Sequence, residues 1–175
     1  MLRYFFYSFI VIFFFSSLSI SAEWNDTNTN NISLKKYDKN NVDPTARALD
    51  TVALAVRNMK KADKIYEKGK KEKAKKHYEK AIKYLLKANK ELALNENVLH
   101  YLAHSHERIE LNEEAEIYYN LALEVNPNNN LINHSLGIFY VQTSKLEKAN
   151  KTLNTMKNCN CEEFQSLKNY IEKNT

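Results

Sequence analysis

AEIYYNLA, residues 115–122, is the stretch that decides the fold. It sets Ala115, Tyr119 and Ala122 at spacings of four and three, which puts all three on one face of a helix. The same small–aromatic–small spacing stands upstream in AKKHYEKA, as Ala74, Tyr78 and Ala81. A looser copy stands downstream in ANKTLNTM, as Ala149, Leu153 and Met156. The last two copies are 34 residues apart and the first two 41. Repetition at this period predicts stacked helical hairpins, because one hairpin cannot bury its apolar face alone.

Seven helices are expected around these copies. Asp43-Pro44 reads as an N-cap followed by a first-turn proline. It opens a helix to about Lys68, with Ala48, Val52, Ala55, Met59, Ala62 and Ile65 on one stripe and Gly69 at its end. A second helix covers Lys71–Ala93, and the seven extra residues between the first two copies fit there as two helical turns. The next are expected at Asn97–Ile109, Glu113–Glu124, Leu131–Gln142 and Lys145–Lys157. Glu162–Glu172 makes a short final helix with Phe164, Leu167, Tyr170 and Ile171 inward. Asn126-Pro127-Asn128-Asn129-Asn130 is the clearest turn. Only two glycines and two prolines occur in 175 residues, which disfavours a turn-rich β fold.

The start of the chain reads differently. Arg3 is followed by an uncharged run, Tyr4 to Ile20, that ends in Ser-Ile-Ser-Ala. Residues 1–22 are therefore expected to be a cleaved secretory signal, with an uncleaved anchor as the alternative. Residues 23–42 are Asn-rich without apolar period and are expected to form a polar tether to a domain at 43–175. From Arg57 to Lys90 there are 14 Lys/Arg against 4 Asp/Glu, a net charge of +10. From Glu91 onward there are 7 against 12, a net charge of −5. A lysine-rich helix ordinarily just faces water. The alternative is a surface for anionic membrane or polymer.

With the register set, the middle unit resembles the tetratricopeptide repeat, whose pattern is W-x2-L-G-x2-Y, then A-x3-F-x2-A, then P. It supplies Leu99, Leu102, Ala103 and His106, then Ala115, Tyr119, Ala122 and Pro127. The third unit has Leu136, Gly137, Tyr140 and Ala149, but Asn133 replaces a large apolar residue and Cys161 stands where the proline falls. The first unit has Lys61 where Leu is expected. The resemblance implies a right-handed helical solenoid of about three repeats with a capping helix, of the small exported bacterial type. It implies a protein or peptide partner, assembly work in the cell envelope, and the periplasm if the source is Gram-negative.

In that family the first helix of each repeat lines the concave face. The residues expected there are Asn97, His100, His104, Glu107 and Arg108 in the middle repeat. Leu131, His134, Ile138, Val141 and Gln142 follow in the third, and Val56, Met59, Asp63, Tyr66 and Glu67 in the first. The repeated Lys and Asn with which family members clamp a terminal carboxylate are missing, which disfavours binding of chaperone tails. His100 and His104 stand four apart and His134 occupies the matching place one repeat on, a spacing that can chelate a metal. Four defined ligands are not supplied, so no metal and no cofactor is expected. His106 is expected to pack and His77 to be exposed. Cys159 and Cys161, in an exported chain, are expected to form a local disulfide, with free thiols, partner pairing and metal binding as alternatives. No nucleophile elbow or phosphate loop is present, so no enzyme and no nucleic-acid partner is expected. A metal- or redox-linked envelope protein and an anionic-surface binder are the competing functions.

Overall fold

The computed structural model describes residues 43–174; the expected signal at 1–22 and tether at 23–42 lie outside the described residues. Seven helices follow in order: α1 (Pro44–Tyr66), α2 (Lys71–Glu91), α3 (Glu96–Glu107), α4 (Asn112–Val125), α5 (Asn130–Gln142), α6 (Leu146–Thr155) and α7 (Glu162–Lys173). No strand occurs among the described residues. The first six helices pair as three hairpins, stacked into a solenoid, and α7 packs on α5 and α6. At 21 residues, α2 is seven longer than the 14-residue α4, so the longer first spacing is indeed two added helical turns.

One backbone device makes all three hairpins. Gly69, Glu110 and Ser144 have φ of +72°, +65° and +60°. They recur at the same spacings as the alanines, 41 and then 34 residues. The N–H one residue further on reaches back to close the helix end: Lys70 to the Ile65 carbonyl at 3.2 Å, Leu111 to His106 at 3.0 Å, and Lys145 to Tyr140 at 2.7 Å. This is a Schellman closure, and it stops α1 and α3 two residues before the ends expected from periodicity. The opposite ends of α1, α3 and α5 are capped by side chains. Asp43 accepts from the Thr45 N–H, Asn95 from Asn97 and Val98, and Asn129 from Ile132.

The repeated alanines are core positions. Ala74, Ala81, Ala115, Ala122 and Ala149 are fully buried, and Tyr78 and Tyr119 fill the space around the first two pairs. Two core clusters result, one in the first hairpin with Val98, Tyr101 and Leu102, the other from Leu99 to α7. Tyr118 packs against both, and its ring stacks on buried His106 at 5.1 Å. One departure from the repeat pattern, and one position that keeps to it, find their reasons here. Asn133 is buried but partnered: its amide donates to the Pro127 and Asn129 carbonyls, and its carbonyl shares the Thr155 hydroxyl proton with the Thr152 carbonyl. Gly137 is where α7 docks, since a Cβ there would run into the Leu167 side chain. Leu167 and Ile171 are buried and Phe164 packs beside them, as expected for a capping helix.

Candidate functional site: the face of the odd helices

The odd-numbered helices approach one another across the hairpins. α1 packs on α3 and α5 on α7, and a hydrogen bond joins His100 of α3 to Ser135 of α5. None of α2, α4 and α6 packs comparably on another of the three. The odd helices therefore share one face of the stack.

At the α1–α3 end this face carries a cluster built on Tyr78, which reaches in from α2. The Tyr78 hydroxyl donates to Asp63 Oδ1 and accepts from Arg108 Nε at 3.1 Å. The Arg108 guanidinium lies 4.0 Å over the Tyr66 ring and 5.9 Å from that of Tyr78. Burial pushes the Asp63 carboxyl up, although the Tyr78 bond and Arg108 pull it down. Burial raises the Tyr78 hydroxyl as well, reinforced by Asp63. Arg108 is held above its ordinary value, because Tyr78, Asp63 and Tyr66 together outweigh its burial. Arg108 is thus a fixed cation on an aromatic platform rather than a mobile surface charge.

His104 stands 4.0 Å from Asp63, at ion-pair range, but burial holds its ring near a pKa of about 3, with Arg108 and His100 adding to the effect. The imidazole is neutral at neutral pH and the contact is not an ion pair. Next along α3, Glu107 accepts from the Tyr119 hydroxyl at 2.7 Å, and burial lifts its carboxyl to about 6.

Three of the residues expected to present themselves to a partner do not. His100 is 2% exposed and His134 8% exposed. Each instead bridges to the next odd helix, His100 Nε2 to Ser135 Oγ and His134 Nε2 to Ser166 Oγ, both at 3.1 Å. The Ser135 hydroxyl donates to the Leu131 carbonyl, so His100 is the donor in its bridge. Burial holds His100 near a pKa of about 4 and lowers that of His134. His104, with a side chain 15% exposed, lies mostly beneath the surface beside Asp63. Among the described residues no three His, Cys, Asp or Glu side chains converge on a place for a metal ion, so the His100, His104, His134 set does not assemble. Of the other expected contacts, Asn97 and Leu131 are exposed, and Glu107, Arg108 and Ile138 are partly exposed. Val56 and Met59 belong to the core of the first hairpin.

Sequence reasoning placed Tyr78 and Tyr119 in the core and missed their hydroxyls. A signal was present: the repeat pattern has Phe at that position, and Tyr there calls for a polar neighbour once buried. Ser135 and Ser166 had no comparable signal.

On the outer side of the first hairpin, Lys76, Lys80, Lys83 and Tyr84 line a shallow concavity with Glu79. His77 on this side is only partly exposed, and its pKa is lowered by desolvation and by Lys61, Lys73 and Lys80. Cys159 and Cys161 are joined in a disulfide at the turn before α7. No helix among the described residues is long and apolar enough to cross a membrane.

The family model described as tetratricopeptide repeat matches residues 97–129, the α3–α4 hairpin and its closing turn. A similar solved structure is "First TPR of Spaghetti (RPAP3) bound to HSP90 peptide SRMEEVD", at TM-score 0.50 and 22% identity, covering 70% of this chain and 93% of that one. Another is the Sgt2 TPR domain from Aspergillus fumigatus, at TM-score 0.49 and 16% identity, covering 68% and 77%. No curated protein matches the chain. Residues 97–129 match the tetratricopeptide repeat, and the described residues fold as an all-helical solenoid similar to that of the RPAP3 domain.

Proposed function

We propose that this tetratricopeptide repeat chain is an exported scaffold that binds a protein or peptide along the face of its odd helices, in assembly work of the cell envelope. One observation carries the reading. The face sets a preorganised cation, Arg108 on Tyr66 and Tyr78, at one end and an apolar strip at the other. In that strip Leu131 is 43% exposed, with partly exposed Ile138 and Val141 further along α5. A charged orienting group beside apolar anchors suits an extended or helical segment. The solenoid likeness supports the reading, since the RPAP3 domain was solved with an HSP90 peptide. The clamp residues for a terminal carboxylate are absent here, so an internal segment is the better fit. Export rests on the sequence of residues 1–22.

The test compares two variant sets for capture of a stoichiometric partner from the native envelope fraction. Leu131→Glu with Ile138→Glu places charge on the anchors without touching the buried histidines. It should abolish capture while leaving helicity unchanged, with a fall in the urea midpoint no larger than that of Ile138→Ala, since Ile138 packs partly on the core. Reversing Lys75, Lys76 and Lys83 should change salt dependence and association rate but not the bound partner. Loss of capture with the lysine set alone would replace this reading with binding of an anionic surface.

A further inference from the structure

The disulfide between Cys159 and Cys161 closes over a single intervening residue. It joins two residues of one turn and ties α7 to no other helix. A cross-link over a single intervening residue also constrains the unfolded chain least. Both cysteines are partly exposed, at the edge of the core that α5 and α7 share.

The position of Cys161 adds a direction. The N-caps of α1, α3 and α5 are Asp43, Asn95 and Asn129, and each uses a side-chain oxygen to accept first-turn N–H groups. At α7 the same place is taken by Cys161, in extended backbone with φ −126° and ψ 155°, and its side chain makes no such bond. Its sulfur is committed to Cys159. Released as a thiolate, it would take the acceptor role that the asparagines fill elsewhere, at the positive end of a 12-residue helix. Glu162 and Glu163 in the first turn oppose this charge, but Glu162 is exposed and Glu163 partly so, and water and salt screen them.

We propose that Cys159–Cys161 is a thiol–disulfide exchange site for a cysteine thiol of a partner protein. The partner thiolate attacks Cys159 Sγ, a bond forms between those two sulfurs, the bridge bond breaks, and its electron pair leaves on Cys161. Cys161 then closes the cycle by attacking Cys159 and expelling the partner thiolate. Alternatively, a second external thiol attacks the mixed disulfide at the first thiol's sulfur. That attack leaves a dithiol here and oxidises the two external thiols to a disulfide. The external thiol is the only co-reactant. The inference stands apart from the groove reading.

The experiment uses the full chain and reduced glutathione as probe, with alkylation quenching and peptide mapping. At about 5 mM glutathione, half or more of the bridge should open. The transient adduct should sit on Cys159 in at least about tenfold excess over Cys161. The circular dichroism and urea midpoint should not move as the bridge opens. Cys161→Ser, whose hydroxyl can still cap α7, should retain a glutathione adduct on Cys159 after exposure to oxidised glutathione. A bridge that stays closed, an adduct shared equally by the two sulfurs or favouring Cys161, or a fall in stability on opening would each overturn the proposal.

Discussion

Lowering the pH from 7 to 5 should destabilise this fold by about 2–3 kcal/mol, through two neutral imidazoles held beneath the face of the odd helices. His100 and His104 have pKa values held near about 4 and about 3, against an ordinary 6.5. A group whose pKa is depressed on folding stabilises above its unfolded value and loses that contribution as pH falls toward the folded one. For each histidine the unfolded chain is the better proton acceptor at pH 5, by about 2 kcal/mol, against a few tenths at pH 7. Glu107 works the other way. Its carboxyl is raised from 4.5 to about 6, so its contribution is present below 4.5 and lost as pH rises through 6. It returns about 1 kcal/mol on going to pH 5. His134 and Asp63, displaced in opposite senses, contribute with opposite signs. Glu116 is held near about 2, its contribution fades only between 4.5 and 2, and it does not act in this window. The assay is urea unfolding at pH 7 and pH 5, followed by circular dichroism, with the m-value checked for constancy. Replacing both histidines by Gln should remove the loss and leave the Glu107 gain, a shift of about 3–4 kcal/mol in the pH effect. Identical midpoints at the two pH values in the natural chain, or a loss that survives in the double variant, would show that these rings are not buried neutral groups.

Ala115→Leu should overpack the middle hairpin and cost on the order of 1–3 kcal/mol, read as a lowered urea midpoint; an unchanged midpoint would mean that the helix register is wrong. Gly137→Ala should cost a similar amount, on the order of 1–3 kcal/mol, because Leu167 must move off α5. Truncation after Lys157 should expose the α5 surface that Leu167 and Ile171 cover, and gel filtration should show aggregation. Ser144→Gly and Glu110→Gly should each raise stability by about 0.5–1 kcal/mol, since both residues hold a left-handed φ that only glycine adopts freely. Gly69→Ala should do the reverse by a similar margin.

Much of this fold is legible in the chain itself. The alanine spacings located the hairpins, and even the 41-residue gap told where two extra turns go, because helical packing is a matter of periodicity and small residues at fixed intervals. The Phe164, Leu167, Ile171 stripe likewise marked a capping helix. Asp43 marked the start of α1 for a local reason, since an N-cap bonds within three residues of itself.

What the sequence could not decide was which polar groups the stacking leaves at the surface. His100, His104 and His134 sit at groove-facing intervals, and counting along one helix says nothing of the neighbour that covers them. Ser135 and Ser166 do so from helices about 30 residues later. Arg108 gave no sign of its platform, because Tyr66 and Tyr78 belong to two other helices. Burial and pKa are properties of the packed neighbourhood, not of spacing. The sequence determined the helices, their order and the face each turns inward, through contacts within one or two turns. The tertiary structure alone determined the chemistry of the face that the odd helices share, because that chemistry is made by side chains meeting across repeats.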